Sequence, residues 1–285
     1  MQNQIRRLIQ LAIEEDLGSG DITSELTVPP EIDATGYLYV KEDCVLCGTV
    51  MVDLIFEELG WPVLFESDFA DGDYLKEGTV FGRLQGCAQY ILSAERIILN
   101  FLQHLSGVAT KARELVEAAE GLTVLDTRKT TPAWRILEKY AARIGGMRSH
   151  RESLSDMILI KNNHIDVNAG DLNKILKRVM EKKPIYMPVE VEVRNMKELL
   201  EAVKGGAEIV MLDNMEEVAL RDALNWLEKN APTLQVEVSG RVNSDKMQKL
   251  VKLGVKCVST SAMVTAATWV DIALRLEVDQ TLEDS

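Results

Sequence analysis

From residue 122 onward, short apolar runs rich in β-branched residues alternate with helical patterns of about ten residues, and no other feature narrows the fold as far. Candidate strands are Leu122–Asp126, Met157–Lys161, Val189–Val193, Ile209–Asp213, Gln235–Ser239 and Lys256–Ser261. Between them fall helical patterns at Met196–Gly205, Glu216–Asn230 and Asp245–Leu253, the last stopped by Gly254. Strands separated by helices pair in parallel, because each helix carries the chain back to the same end of the sheet. Units of this kind in such number imply a barrel, but they fall short of the usual eight. A short or incomplete α/β barrel is expected.

Residues 1–107 have a different texture. A helical stretch at Leu8–Ile13 is followed by the polar loop Glu15–Thr23. Alternating runs at Gly36–Val40 and Val80–Leu84 then read as strands of a small antiparallel sheet. A long helix, Ala88–Leu105, carries Ile91, Ala94, Ile98, Leu102 and Leu105 on one face. The division expected is an α+β module over 1–107 and a barrel over 108–285.

The formal charge of −13 with no basic tract argues against general nucleic-acid or anionic-membrane binding. No apolar run reaches the roughly 18 residues of a membrane span, and the N-terminus reads as an amphipathic helix rather than a signal peptide. Cys44 and Cys47 have CxxC spacing, but no second pair or nearby histidine supports metal or redox chemistry. A structural role for both, in a reduced cytoplasmic protein, is expected.

The strand ends carry the chemistry. In βα barrels the carboxyl ends of the strands form the active-site face. Here they offer Asp126, Arg128 and Lys129, then Lys161, Glu192, Asp213, Glu237 with Ser239, and Ser259 with Ser261. His150-Arg151 stands between the first two strands. Converging guanidinium and ammonium groups suit an anionic small molecule. A ring of mutual salt bridges is the bland alternative, and it leaves cations over. Glu190 and Glu192 share a strand face, so periodicity does not choose between them. His104 and His164 read equally well as site residues and as residues that cap or pack against helices, and Arg96 as a site residue or an ordinary surface arginine.

Taken in order, several segments resemble the quinolinate phosphoribosyltransferase family over nearly the whole chain. They are Glu15–Thr23, Ala94-Glu95-Arg96, His104-Leu105-Ser106-Gly107, Asp126–Pro132, Leu137-Glu138-Lys139-Tyr140, His150-Arg151, Ile160–His164, Val189–Val193 and Met211–Met215. The resemblance implies an N-terminal α/β sandwich and then an incomplete, seven-stranded α/β barrel, with a C-terminal helix packing back on the N-terminal domain. It implies a homodimer, or a higher homo-oligomer, whose active sites are completed by the partner's N-terminal domain.

The implied reaction joins quinolinate to 5-phosphoribosyl 1-pyrophosphate with Mg²⁺, giving nicotinate mononucleotide, pyrophosphate and CO₂ in NAD biosynthesis. Carried over by motif, Arg128, Lys129, His150, Arg151 and Lys161 hold quinolinate, with Arg96 supplied by the neighbouring subunit. Glu192 and Asp213 are placed at the ribose or the Mg²⁺. Lys129, Lys161, Glu192 and Asp213 form the catalytic set.

The chain departs from the family pattern around the 5-phosphate. Ser239-Gly240-Arg241 stands where Ser-Gly-Gly is usual, and Ser261 to Ala266 replaces a Gly-Ala-Leu-Thr-His-Ser pattern, with Thr265 in place of its histidine. Ser149 and Ser153 replace an asparagine and a glycine around His150-Arg151. Arg241 and the Ser239 and Ser261 hydroxyls are candidate substitutes for lost backbone donors. The alternatives are a relative acting on another aromatic acid, such as the molybdenum-transport-linked branch, and a ligand-binding protein without catalysis. A Schiff-base lyase using Lys129 or Lys161 is a further reading, opposed by the crowd of neighbouring cations.

Overall fold

The computed structural model describes residues 2–240 and 242–278, without the side chains of Ser244 and Asp245. The elements run α1 (Gln2–Asp16), α2 (Ile22–Thr27), β1 (Asp33–Val40), β2 (Cys44–Val45), α3 (Val50–Leu59), β3 (Leu64–Glu66), β4 (Tyr74–Leu75), β5 (Val80–Cys87) and α4 (Ala88–Ala118). There follow β6 (Thr123–Leu125), α5 (Arg135–Ile144), β7 (Ile158–Ile160), α6 (Asn162–Asp166), α7 (Leu172–Lys182), β8 (Val189–Val193), α8 (Met196–Lys204) and β9 (Ile209–Asp213). The last are α9 (Glu217–Asn230), β10 (Gln235–Ser239), α10 (Ser244–Lys252), β11 (Cys257–Ser259), α11 (Ala262–Thr265) and β12 (Ile272–Val278).

The chain forms two compact units that interleave in sequence. Among the described residues, one comprises 2–113, 130–146 and 266–278, and the other 114–129 and 147–265. The first unit holds the antiparallel sheet β12-β1-β5-β3. Its last strand corrects the expectation of a C-terminal helix: Ile272–Val278 pairs antiparallel with β1, from Val40↔Ile272 to Ala34↔Val278. Ile272, Leu274, Leu276 and Val278 recur every second residue, which suits a strand, and β1 has an unpaired edge to satisfy.

The helix α4 also runs further than its sequence pattern suggested. Ser106-Gly107 does not end it, because the buried spine of Ile91, Ile98, Leu102 and Leu105 continues through Ala109, Ala112 and Leu115. Gly107 is required there, since a Cβ would lie 2.1 Å from the Thr268 carbonyl oxygen. No helix among the described residues is long and apolar enough to cross a membrane.

The second unit is the barrel. Its parallel sheet runs β6-β11-β10-β9-β8-β7, and Arg148 adds an isolated parallel bridge to Leu125 beside β6. The expected seventh strand is thus a single bridging residue. Alternation sorts the side chains by face. Val189, Val191, Val193, Val210, Leu212, Val238 and Val258 are buried on the outer face with the apolar sides of the helices. Each such burial contributes about 1.5–3 kcal/mol. The register turns Glu190, Glu192, Met211, Asp213, Glu237 and Ser239 to the other, inner face. The polar residues of these strands therefore face inward, and the apolar ones hold the layers together.

Candidate active site

Every site residue expected in the barrel unit and described here lies at or near a strand's carboxyl end. Lys161 follows β7, Glu192 is the fourth residue of β8, Asp213 and Ser239 end β9 and β10, and Ser261 lies two residues beyond β11. Asp213 and Ser239 are register partners across β9 and β10.

Lys161 Nζ lies 3.3 Å from Glu192 Oε2, with the lysine side chain 45% exposed and that of the glutamate 8%. Of the two glutamates that periodicity left equivalent, Glu192 is the one nearer the mouth and Glu190 lies one layer deeper. Lys161 is also held by its backbone: its N–H donates to His164 Nδ1 at 2.8 Å, which gives His164 a capping role. Arg194, two residues past Glu192, grips both Asp166 oxygens at 2.9 and 3.1 Å and also binds Glu198. It ties the end of β8 to the helix that follows Lys161.

Asp213 is oriented by its neighbour, whose side-chain Nδ2 donates to Asp213 Oδ2 at 2.8 Å. Asn214 adopts φ +49, and its N–H donates to the Ser239 carbonyl at 3.1 Å. Gly240 has φ +105, and a Cβ there would sit 2.3 Å from Asn214 Oδ1. This glycine is needed for a close approach. Arg241 lies outside the described residues.

Arg128 and Arg151 are close enough that, after burial, the Arg128 charge is the main influence lowering the Arg151 pKa from its ordinary value. Arg151 Nη1 donates to the Met157 carbonyl at 3.0 Å. Two guanidinium groups brought together at a half-buried edge repel, and a bound anion relieves that cost. Lys129 is exposed, and its N–H donates to Thr127 Oγ1 at 3.1 Å.

His150 is anchored from several sides. Its N–H donates to Asp126 Oδ1 at 2.9 Å, and its ring Nδ1 accepts the Arg151 N–H at 2.7 Å. Nε2 lies 3.2 Å from Glu190 Oε2 and 3.5 Å from Glu237 Oε2. Burial opposes charging the ring, but the contact with Glu190 and the fields of both glutamates outweigh it and raise the His150 pKa. Burial and the neighbouring Glu190 charge push Glu237 up to about 7.

His150, Glu190 and Glu237 are also ligand-type side chains close enough together to surround a metal ion. The ring argues against one. Because Nδ1 accepts a backbone hydrogen bond, the neutral ring carries its proton on Nε2, the atom a metal would need. The group is a triad in which the ring faces both carboxylates at ion-pair distance. Glu192 and Asp213, oxygen donors on adjacent strands of the inner face, have the chemistry a hard cation prefers.

Arg96 is an exposed residue of α4 in the first unit. His104 belongs to that unit as well, its Nε2 2.9 Å from Glu138 Oε1. Cys44 and Cys47 are fully buried, and burial pushes the Cys44 thiol up to about 12, which suits inert packing. Sequence reasoning gave Asn214 no part in the site, kept Glu190 as the alternative to Glu192, and had capping among its readings of His164. The Val-Glu-Val-Glu-Val alternation signalled Glu190, and Asn214 beside Gly240 becomes legible only in the folded turn.

Two domain models match the chain: the quinolinate phosphoribosyl transferase N-terminal domain over residues 21–106 and its C-terminal domain over 108–275. The chain is 35% identical to the Oryza sativa subsp. japonica nicotinate-nucleotide pyrophosphorylase (carboxylating), chloroplastic, covering 98% of this chain and 79% of the relative. It is likewise 35% identical to the Nicotiana glauca quinolinate phosphoribosyltransferase (decarboxylating) 1, covering 98% and 84%. The crystal structure of NadC from Streptococcus pyogenes superposes with a TM-score of 0.90 at 32% identity, covering 98% of this chain and 99% of that one. By these matches and by the mouth they accompany, the chain belongs to the quinolinate phosphoribosyltransferase family.

Proposed function

We propose that this protein transfers the phosphoribosyl group of 5-phosphoribosyl 1-pyrophosphate to quinolinate, in the route to NAD. The observation that carries the reading is the Lys161–Glu192 pair beside Asp213 at the carboxyl ends of adjacent strands, with Arg128 and Arg151 in the loops at the same ends. Such a mouth suits a dicarboxylate beside a sugar that becomes cationic. The names of the relatives, which specify this substrate and decarboxylation, support it.

In the reaction the pyridine nitrogen forms a bond to the ribose anomeric carbon as the bond to pyrophosphate breaks. The C2 carboxylate then leaves as CO₂, its bonding pair stays on C2 beside the cationic nitrogen, and a proton completes nicotinate mononucleotide. Arg128, Lys129, Arg151 and Lys161 hold the two carboxylates so that the nitrogen faces the sugar. Glu192 and Asp213 stabilise the charge that develops on the ribose. Mg²⁺ bound at Glu192 and Asp213 would neutralise the departing pyrophosphate.

Assembly as a homodimer, with Arg96 of one protomer entering the other's site, belongs to the same proposal. So does a cytoplasmic location, which the four free cysteines support. Release of pyrophosphate and of labelled CO₂ from carboxyl-labelled quinolinate, in equal amounts and only with both substrates present, is the expected result. Turnover of a different aromatic acid with quinolinate inert would overturn the substrate assignment. Binding of quinolinate without any binding of the phosphoribosyl donor would overturn catalysis.

A further inference from the structure

Glu190 and Glu237 have no part in the chemistry just described, yet they sit on the inner face of the barrel 0% and 3% exposed. Buried carboxylates are costly unless something engages them. Neither Glu190 oxygen nor Glu237 Oε1 has a hydrogen-bond partner among the described residues, and the His150 ring faces both acids at ion-pair distance. That ring points Nε2 down at the two carboxylates, 3.2 and 3.5 Å away, and Nδ1 at the N–H of Arg151, 2.7 Å away. An imidazole that donates from Nε2 is committed to accepting at Nδ1 while it is neutral. The lower contacts therefore select the tautomer that the upper contact needs. Asp126 holds the same turn by accepting the His150 N–H, and Met157 fixes the far end of the Arg151 side chain.

We propose that Glu190 and Glu237 are positioning residues for Arg151, acting through His150: they orient the imidazole and set its tautomer, and the imidazole in turn holds the Arg151 backbone. The inference rests on the reading that Arg151 holds a carboxylate of the aromatic substrate. The carboxylates act as second-layer supports of the kind that orient a ligand-binding side chain without touching the ligand.

The test uses Glu190→Gln and Glu237→Gln, each alone and in a His150→Asn background that keeps an acceptor near the Nδ1 position. In the parent background KM for quinolinate rises about tenfold, kcat changes by less than about threefold, and KM for the phosphoribosyl donor is unchanged. Once His150 is Asn, the same glutamine substitutions add less than about twofold. A fall in kcat at constant KM, or the full effect in both backgrounds, overturns the proposal. Nitrogen NMR of the ligand-free protein gives an independent arm: His150 is expected with Nδ1 bare and Nε2 protonated. The opposite neutral tautomer overturns the proposal whatever the enzyme's substrate, including where a glutamine variant fails to fold. Wild-type protein inert towards quinolinate, but with the expected tautomer, counts against the function alone.

Discussion

Lys161 Nζ stands 3.3 Å from Glu192 Oε2, bridging the ends of two neighbouring barrel strands. With the lysine nearly half exposed, the pair contributes about 0–1 kcal/mol to stability. Its value is that it holds a cation and an anion at the mouth in defined positions. Lys161→Ala is expected to lower kcat/KM for quinolinate by about 10- to 100-fold, in keeping with loss of one charged hydrogen bond. Thermal unfolding should shift by only a few degrees. Steady-state kinetics with each substrate varied in turn, beside a melting curve, checks this; unchanged kinetics would remove Lys161 from the site.

Glu192→Gln should act on the other substrate. The neutral amide keeps the shape but loses the charge proposed to face the sugar, so kcat is expected to fall by about 100-fold with KM for quinolinate nearly constant. Calorimetry of quinolinate binding to the variant provides the control. Weakened quinolinate binding without loss of turnover would reverse the assignment of Lys161 and Glu192 to their two substrates.

Gly240 is tied to Asp213 through Asn214. A methyl group at residue 240 would meet Asn214 Oδ1 at 2.3 Å and its backbone nitrogen at 2.8 Å, at a φ of +105 that side chains avoid. Gly240→Ala should therefore cost about 1–3 kcal/mol of stability and displace the residue that orients Asp213. KM for the phosphoribosyl donor should rise more than KM for quinolinate. Equal effects on both, measured at a temperature where the variant is fully folded, would break the link to Asp213.

Stability should depend on pH through Glu237. Its folded value is raised from 4.5 to about 7, so the folded state favours the protonated form. Below the unfolded value both states are protonated and the group costs nothing. As pH rises towards 7 the unfolded chain releases its proton first, and wild-type stability falls. Glu237→Gln removes this dependence. It should be more stable than wild type above pH 7, by on the order of 3 kcal/mol at most, with the advantage vanishing towards pH 4. Denaturant midpoints at pH 4.5, 6 and 8 would show it; a constant difference across the three would exclude Glu237 as the source.

Thiol chemistry offers a simple check on the CxxC pair. Burial pushes Cys44 and Cys257 up to about 12, and Cys47 well above its ordinary value, so native protein at pH 8 should react first at Cys87. All four thiols should titrate in denaturant. Rapid native labelling of Cys44 or Cys47 would reopen a redox role.

Periodicity reached a long way into the barrel. Val189–Val193, Ile209–Asp213 and Gln235–Ser239 are strands with the limits expected, because β-branched alternation between helical segments is a local signal. It faltered where a segment's partner is remote in sequence. Ile272–Val278 alternates as a strand does, but the edge of β1 that it pairs with lies more than 230 residues earlier in the chain. Helix α4 runs past Ser106-Gly107 because its buried face continues through Ala109, Ala112 and Leu115, and the close approach of Thr268 keeps residue 107 a glycine.

The candidate site divides the same way. Residue types and order alone determined that cations and carboxylates would gather at the strand ends, since each follows or ends a run whose β character is intrinsic. The tertiary structure decided where each carboxylate stands. Glu190 and Glu192 are equivalent by alternation, and depth separates them: one lies beneath the His150 ring and the other meets Lys161 at the mouth. Tautomer, burial and charge pairing arise between strands that sequence does not place side by side, so they exist only once the sheet has closed around them.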